Sequence, residues 1–367
     1  MREEAPMTRS DGERSRGSSL RSEDPAKRPV RRVPVTDPPH LDPVRPVPAS
    51  DPPHLDPVRP VPASDPPHLD PVRPVPVTDH PHLGPALPFL GLDVLWIQVA
   101  GTVCNIACRH CFISCGPKNE AHPFLETDRI LALLARARKI GVKEYYFTGG
   151  EPFLHPEILL LVERTLEQGP LSILTNALLL DPDTARHLAD LSAASEYSLD
   201  LRISLDGMTP EENDPIRGRG TFTEILAGAK NLHDAGLNPV FTVTTVHARY
   251  RSSEGRALFL DRLRRLGFPR PRAKFIPPFQ LGREAHRSGN YPEGFRLSEG
   301  DLLEGEEHVL QCASCRTVTA KGVFPCPILI EADGARMADR LEETLVPIRL
   351  NHPACVTCHQ EGFSCAT

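Results

Sequence analysis

Cys104, Cys108, Cys111 and Cys115 lie in the stretch GTVCNIACRHCFISCG, residues 101–116, directly after the apolar run DVLWIQVA. Thiolates are soft ligands, and four on one loop suit a metal centre. Three kinds of centre compete for them. A closed zinc site needs four donors, with Cys115 or His110 as the fourth. A ferredoxin-type cluster follows C-x2-C-x2-C-x3-C-P, but here the first gap is three residues and Gly116 stands at the proline position. In the third, C-x3-C-x2-C holds three irons of a [4Fe–4S] cube and leaves the fourth open to a ligand. Six more cysteines follow later: Cys312, Cys315, Cys326, Cys355, Cys358 and Cys365. Two C-x2-C pairs with further cysteines indicate a metal-binding segment without naming the metal. Structural zinc is its plain reading.

The elements that must position these residues follow a repeating pattern. VLWIQVA (94–100) is a buried strand, TDRILALLARARKIG an amphipathic helix, and EYYFTGGEP a strand breaking into glycines. HPEILLLVERTLEQG is a helix with Pro156 in its first turn, and LSILTNA a strand. DTARHLADLSAAS, LDLRISLDG, TFTEILAGAKNLHDAG, PVFTVTTVH, EGRALFLDRLRRLG and RAKFIPP continue the alternation. Strands alternating with helices predict an α/β fold with a parallel sheet and helices packed outside it. Right-handed crossovers then bring the strand C-termini to one edge, where the cysteine loop, TGGEP, TNA and SLDG would form the site.

CNIACRHC at 104–111, followed by FTGGEP at 147–152 and by TNA and SLDG on later strands, resembles the radical S-adenosylmethionine (radical SAM) superfamily. The resemblance implies a partial (β/α)6 barrel, a [4Fe–4S] cluster on Cys104, Cys108 and Cys111, and SAM at its open iron. It also implies roles for the neighbours. Gly149 and Gly150 would let backbone approach the ligand, and Glu151 would accept from the methionyl ammonium. His110 would lie near the adenine or hydrogen-bond beside the cluster. Asn176, Ser204 and Asp206 resemble ribose- or carboxylate-contacting positions, and Arg217 is the candidate partner of the SAM carboxylate. Cys115 is expected as a buried thiol. The later cysteines resemble SPASM/twitch extensions, in which auxiliary [4Fe–4S] clusters sit beneath the substrate. Cys326, Cys355, Cys358 and Cys365 are the expected holders, with Cys312 and Cys315 as further ligands. Six cysteines allow two three-cysteine clusters, or one four-cysteine cluster and two free thiols. The implied activity is reductive SAM cleavage and hydrogen abstraction from a peptide or small molecule, with flavodoxin or ferredoxin as reductant. The alternative is a non-catalytic iron–sulfur or zinc protein that senses redox state.

Composition bounds the rest. Of 367 residues, 40 are proline, and most of that excess precedes residue 90. Residues 37–78 are three copies of a 14-residue unit built on DPPHLDPVRPVP. Proline cannot donate to a ladder, so residues 1–88 are expected to be a disordered or polyproline leader. Residues 89–285 are expected to form the barrel, and 286–367 a cysteine-rich domain. A net charge of −6 gives no electrostatic footprint for nucleic acid. No apolar run suits a membrane span, and no secretory leader is evident, so the expected address is the cytoplasm.

Overall fold

The structure, a computed structural model, describes residues 84–303, 305 and 307–361. The repeats and Cys365 lie outside the described residues. Residues 84–88, expected to end the leader, instead enter the fold. β1 (Ala86–Leu87) pairs antiparallel with β10 (Ile348–Arg349) near the C-terminus.

Six strands then alternate with helices: β2 (Val94–Gln98), α1 (Thr127–Ile140), β3 (Glu144–Thr148), α2 (Ile158–Leu166), β4 (Leu171–Thr175), α3 (Pro182–Ala194), β5 (Leu199–Ser204), α4 (Pro210–Arg217), α5 (Thr221–Asp234), β6 (Val240–Thr244), α6 (Ser253–Arg265) and β7 (Arg272–Ile276). Every neighbouring pair from β2 to β7 is parallel, so their C-termini share one edge. This is the expected partial barrel. Its sheet runs in the order β7-β6-β5-β4-β3-β2-β8-β9. Past β7 come α7 (Gly282–Ser288), the hairpin β8 (Cys315–Thr319) and β9 (Gly322–Phe324), and α8 (Pro353–Gln360).

Two details depart from expectation. Pro156 precedes α2 rather than opening it, because the helix begins only at Ile158. α4 is an added helix, carrying Pro215 in its interior and Pro210 in its first turn. The expected domain boundary at 285/286 falls inside α7. Beyond it, β8 joins the barrel sheet, parallel to β2 with Val94 opposite Cys315.

The sheet's two faces differ. Leu95, Ile97, Tyr145, Phe147, Ile173 and Ile203 share the main core with Ile130, Leu134, Leu161 and Phe259 of the helices. Burying each such side chain contributes about 1.5–3 kcal/mol. Alternate residues point the other way: Val94, Trp96 and Tyr146 pack with Cys315, Cys312 and Cys326. Among the described residues no helix is long and apolar enough to cross a membrane.

Candidate metal and cofactor site

The cysteine loop leaves the C-terminal end of β2 and is pinched at its neck. Cys104 N–H donates to Gly116 O (3.2 Å), and Gly116 N–H donates to Thr102 O (3.1 Å). Cys104, Cys108 and Cys115 are buried and Cys111 is half-buried. Three of the four sulfurs receive an N–H. Asn176 Nδ2 lies 3.7 Å from Cys104 Sγ, Arg217 Nη1 lies 3.9 Å from Cys108 Sγ, and Cys115 N lies 3.3 Å from Cys111 Sγ. Such contacts suit thiolates and tune the potential of any cluster they ligate. Cys115 differs. Its thiol hydrogen-bonds to Cys111, which raises the Cys115 pKa and lowers that of Cys111, with Arg283 adding to the latter. Burial pushes the Cys104 thiol up to about 12, and Cys108 to about 11 against the pull of Arg217. Protein alone therefore holds these two thiols neutral, and a bound metal would have to displace their protons.

The glycines after β3 lean on this loop. A Cβ at Gly150 would lie 1.9 Å from Val103 O and 2.8 Å from Cys104 N, so only glycine fits. Gly150 N–H donates to Gly101 O (2.8 Å) and Glu151 N–H to Val103 O (3.1 Å). The close approach expected of Gly149 and Gly150 is thus made first to the protein's own cysteine loop. Glu151, expected at a ligand ammonium, is fully buried and turned to its neighbours. Its Oε1 accepts from Thr175 Oγ1 (2.7 Å) and Phe153 N (3.1 Å), and Oε2 accepts from Asn176 N (2.8 Å). Burial outweighs these donors and raises its pKa to about 7. Asn176 in turn donates from Nδ2 to Asn105 Oδ1 (2.7 Å), which returns the chain of contacts to the cysteine loop.

His110, Asp206 and Arg217 also meet, but with one another. Asp206 Oδ2 lies 2.8 Å from His110 Nε2 and 2.8 Å from Arg217 Nε, while Oδ1 accepts from Thr244 N (2.9 Å). Burial raises the Asp206 carboxyl, but Arg217 and His110 overcome it and hold the group well below the carboxylate range. His110 and Arg217, expected near the adenine and the SAM carboxylate, are joined here through Asp206 in a buried ion network. His110 Nδ1 is buried and has no hydrogen-bond partner among the described residues, so it keeps one unspent polar atom. Ser204, half-buried, ends β5 two residues before Asp206.

A family profile for the radical SAM superfamily matches residues 99–254, which contain the cysteine loop, Glu151, Asn176 and the Asp206 network. Residues 99–254 belong to the radical SAM superfamily. Over 135 residues the chain is 34% identical to mycofactocin maturase MftC of Mycobacterium tuberculosis (strain CDC 1551 / Oshkosh), covering 36% of this chain and 33% of that relative. Over 205 residues it is 28% identical to GTP 3',8-cyclase of Petrotoga mobilis (strain DSM 10674 / SJ95), covering 54% of this chain and 60% of that one. The chain thus spans from a third to three fifths of the length of these curated relatives. Native anSMEcpe with bound AdoMet shares the fold at a TM-score of 0.50 and 18% identity, over 68% of this chain and 79% of that one.

The radical SAM segment is braced from outside its own bounds by Arg283, at the start of α7. Its Nε donates to Cys108 O (2.7 Å), Nη1 to Ser114 O (2.8 Å) and Nη2 to Cys115 O, while its backbone N–H reaches Cys111 O (3.0 Å). Gly282 permits this approach: its φ is +50°, and a Cβ there would meet Phe112 O at 2.5 Å. The sequence carries no signal for this clamp, because its acceptors are backbone carbonyls.

The later cysteines gather at a second place. Cys312, Cys315, Cys326, Cys355 and Cys358 all line one cavity of about 50 Å³, roomier than a single water requires. Burial raises Cys326, and pushes Cys355 up to about 12. Among the described residues no three His, Cys, Asp or Glu side chains converge on a single-ion site. A cube is held at its corners, so its thiolates stand farther apart than the donors around one zinc ion. The thiol-only donor set and the N–H groups aimed at Cys104, Cys108 and Cys111 fit an iron–sulfur cube.

Proposed function

We propose that this chain is a radical SAM enzyme, with a [4Fe–4S] cluster held by Cys104, Cys108 and Cys111 and one auxiliary cluster held in the C-terminal cavity. When bound, the first cluster would supply the electron for reductive cleavage of SAM, the chemistry that leads to hydrogen abstraction from a substrate. The observation that carries the reading is the pattern of N–H donors, which selects three of four loop cysteines and leaves Cys115 as a donor instead.

The chain's own work is to hold and orient. Gly150 seats the β3 turn on the cysteine loop, and Glu151 fixes the β4 turn so that Asn176 reaches Cys104. Asp206 fixes His110 through Nε2 and Arg217 through Nε, leaving His110 Nδ1 and the remaining guanidinium N–H groups of Arg217 available to the ligand. One cavity lined by five cysteines favours one auxiliary cluster over two three-cysteine clusters. Cys312 and Cys315 join Cys326, Cys355 and Cys358 as its candidate ligands. Residues 89–285 serve as the barrel and 286–367 as an extension built onto its sheet edge.

The proposed substrate is a peptide or protein. The SPASM/twitch-like cysteine pattern carries that choice, and a maturase stands among the relatives. A flavodoxin- or ferredoxin-type reductant and a cytoplasmic address complete the reading, since cysteines that serve as metal ligands must be kept reduced.

The test uses anaerobically reconstituted protein. Iron and sulfide are counted per chain, then dithionite and SAM are added and 5′-deoxyadenosine is assayed. Replacing Cys104, Cys108 and Cys111 together by Ala is expected to leave the auxiliary iron and abolish 5′-deoxyadenosine. Retained SAM cleavage in that variant would sink the assignment.

A further inference from the structure

Arg316 is fully buried, directly after Cys315 at the start of β8. A guanidinium this deep ordinarily has a carboxylate beside it. None of the described residues provides one, since no ion pair of the described residues includes Arg316. Its donors go to backbone oxygens alone: Nε to Thr344 (2.8 Å), Nη1 to Cys312 (2.9 Å) and Cys315 (2.6 Å), and Nη2 to Val346 (2.7 Å). The Phe89 ring covers it at 4.5 Å. Hydrogen bonds to carbonyls satisfy its N–H groups but supply no net negative charge. The groups nearby that can supply it are Cys312 and Cys315, whose carbonyls it holds, and Cys326, which lines the same cavity as both. As thiols they are neutral. As thiolates on a metal they are not.

We infer that Arg316 is the built-in counter-charge of the anionic metal–thiolate group in the C-terminal cavity, and that it also fixes the Cys312–Cys315 turn in ligating form. The inference rests on the auxiliary-cluster reading above. Arg316 is a positioning residue: Nη1 alone bridges the carbonyls of both cysteines in the C-x2-C pair. A positive charge at this depth favours the more negative, reduced state of the cluster, so it raises the cluster's reduction potential.

The experiment compares reconstituted full-length protein with Arg316→Met and Arg316→Lys. Iron is counted, and both clusters are titrated potentiometrically and followed by electron paramagnetic resonance. The parent is expected to hold about eight irons, two cubes' worth. Arg316→Met should either lose the second cluster, about half of the iron, or keep it at a more negative potential. The signal of the first cluster should be unchanged. Arg316→Lys, which keeps the charge, should restore the second cluster with a potential near the parent's. If Arg316→Met fails to fold, the lysine variant decides on the same readout. A methionine variant with both clusters at parental potentials overturns the inference. So does a lysine variant as impaired as the methionine one. A parent with only the first cluster would instead remove the auxiliary-cluster reading, and this inference with it, while leaving the SAM site standing.

Discussion

Asp206 is the residue whose removal tests the site's electrostatics most directly. The change Asp206→Asn keeps the side chain's shape and the acceptor for Thr244 N, but places an amide N–H₂ where Oδ2 now meets His110 and Arg217, each at 2.8 Å. Arg217 is 7% exposed, so water cannot replace the lost partner. Breaking one side of a buried ion pair costs about 3–5 kcal/mol, mostly from the charge left behind. At about 2–4 °C per kcal/mol for a domain of this size, the melting temperature should fall by roughly 6–20 °C. The assay is thermal unfolding followed by circular dichroism, under anaerobic conditions. Arg217→Met removes the stranded cation, so the Asp206→Asn/Arg217→Met double variant should be less destabilised than the sum of the singles, by about 1–3 kcal/mol. The pH dependence has a definite sign. Asp206 is held well below the carboxylate range when folded, so its contribution is complete above about pH 4, the ordinary aspartate pKa, and is lost only as the pH falls further. The gap between parent and variant should therefore stay level from pH 5 to 8 and narrow in stronger acid. A loss under about 1 kcal/mol, or strict additivity of the two substitutions, would refute the buried network as the element that holds this edge.

Other perturbations separate the parts of the site. Gly150→Ala forces a Cβ to within 1.9 Å of Val103 O, so reconstitution should lose the first cluster's iron and keep the second's; full iron loading would show that the loop tolerates the displacement. Glu151→Gln turns an N–H₂ toward the backbone donor of Asn176 and should cost about 1–3 kcal/mol, read as a lowered melting temperature and weakened SAM binding by calorimetry. Because burial raises the Glu151 pKa to about 7, the stability it adds as a neutral group is fully present below about pH 4.3 and is lost as the pH rises through 7; the glutamine variant should lack that slope. Arg283→Met removes three side-chain bonds to the loop carbonyls of Cys108, Ser114 and Cys115. Slower iron incorporation at the first site, with a lower potential for whatever cluster forms, is the expected result, and unchanged reconstitution kinetics would count against the clamp.

The sequence made the barrel readable because its cues are local. Six apolar strands alternate with periodic helices, and the cysteine spacing sits on one loop. The features without a local cue depend on long-range or backbone partners. α4 is polar and contains Pro215, so it reads as a loop; it is held by Asp214, which accepts from Phe222 N (2.9 Å) and Gly220 N (2.6 Å). CRTVT reads as part of a metal segment because Cys312, Cys315 and Cys326 flank it, yet β8 pairs with β2, more than 200 residues earlier. Positions in motifs mark His110, Glu151, Asp206 and Arg217 as candidate site residues, but the partners that each one meets are not legible in sequence. A motif gives residue identity at a strand end; it does not say whether a side chain faces the ligand or a neighbouring loop.

Those contacts have a consequence for how the centre assembles. The cysteine loop makes few hydrogen bonds within itself, beyond those at its neck and between Cys108, Cys111 and Ser114. Asn119 and His122, just beyond it, bond Thr102 and Ser114, and its long-range supports arrive from five other elements: Gly150 after β3, Asn176 after β4, Asp206 with Arg217 from β5 and α4, and Arg283 from α7. None of these elements is near the loop in sequence, so the ligating geometry exists only once the sheet from β2 to β7 has formed. Loop closure on that scale costs entropy that the loop's own contacts do not offset. Cluster insertion should thus follow barrel folding rather than nucleate it, in contrast to small zinc modules whose metal creates the fold. Hydrogen exchange tests this directly. Apoprotein should protect the amides of β2 to β5 as strongly as reconstituted protein does, with the added protection on iron loading confined to residues 101–116. Barrel strands that gain protection only with iron would reverse the order.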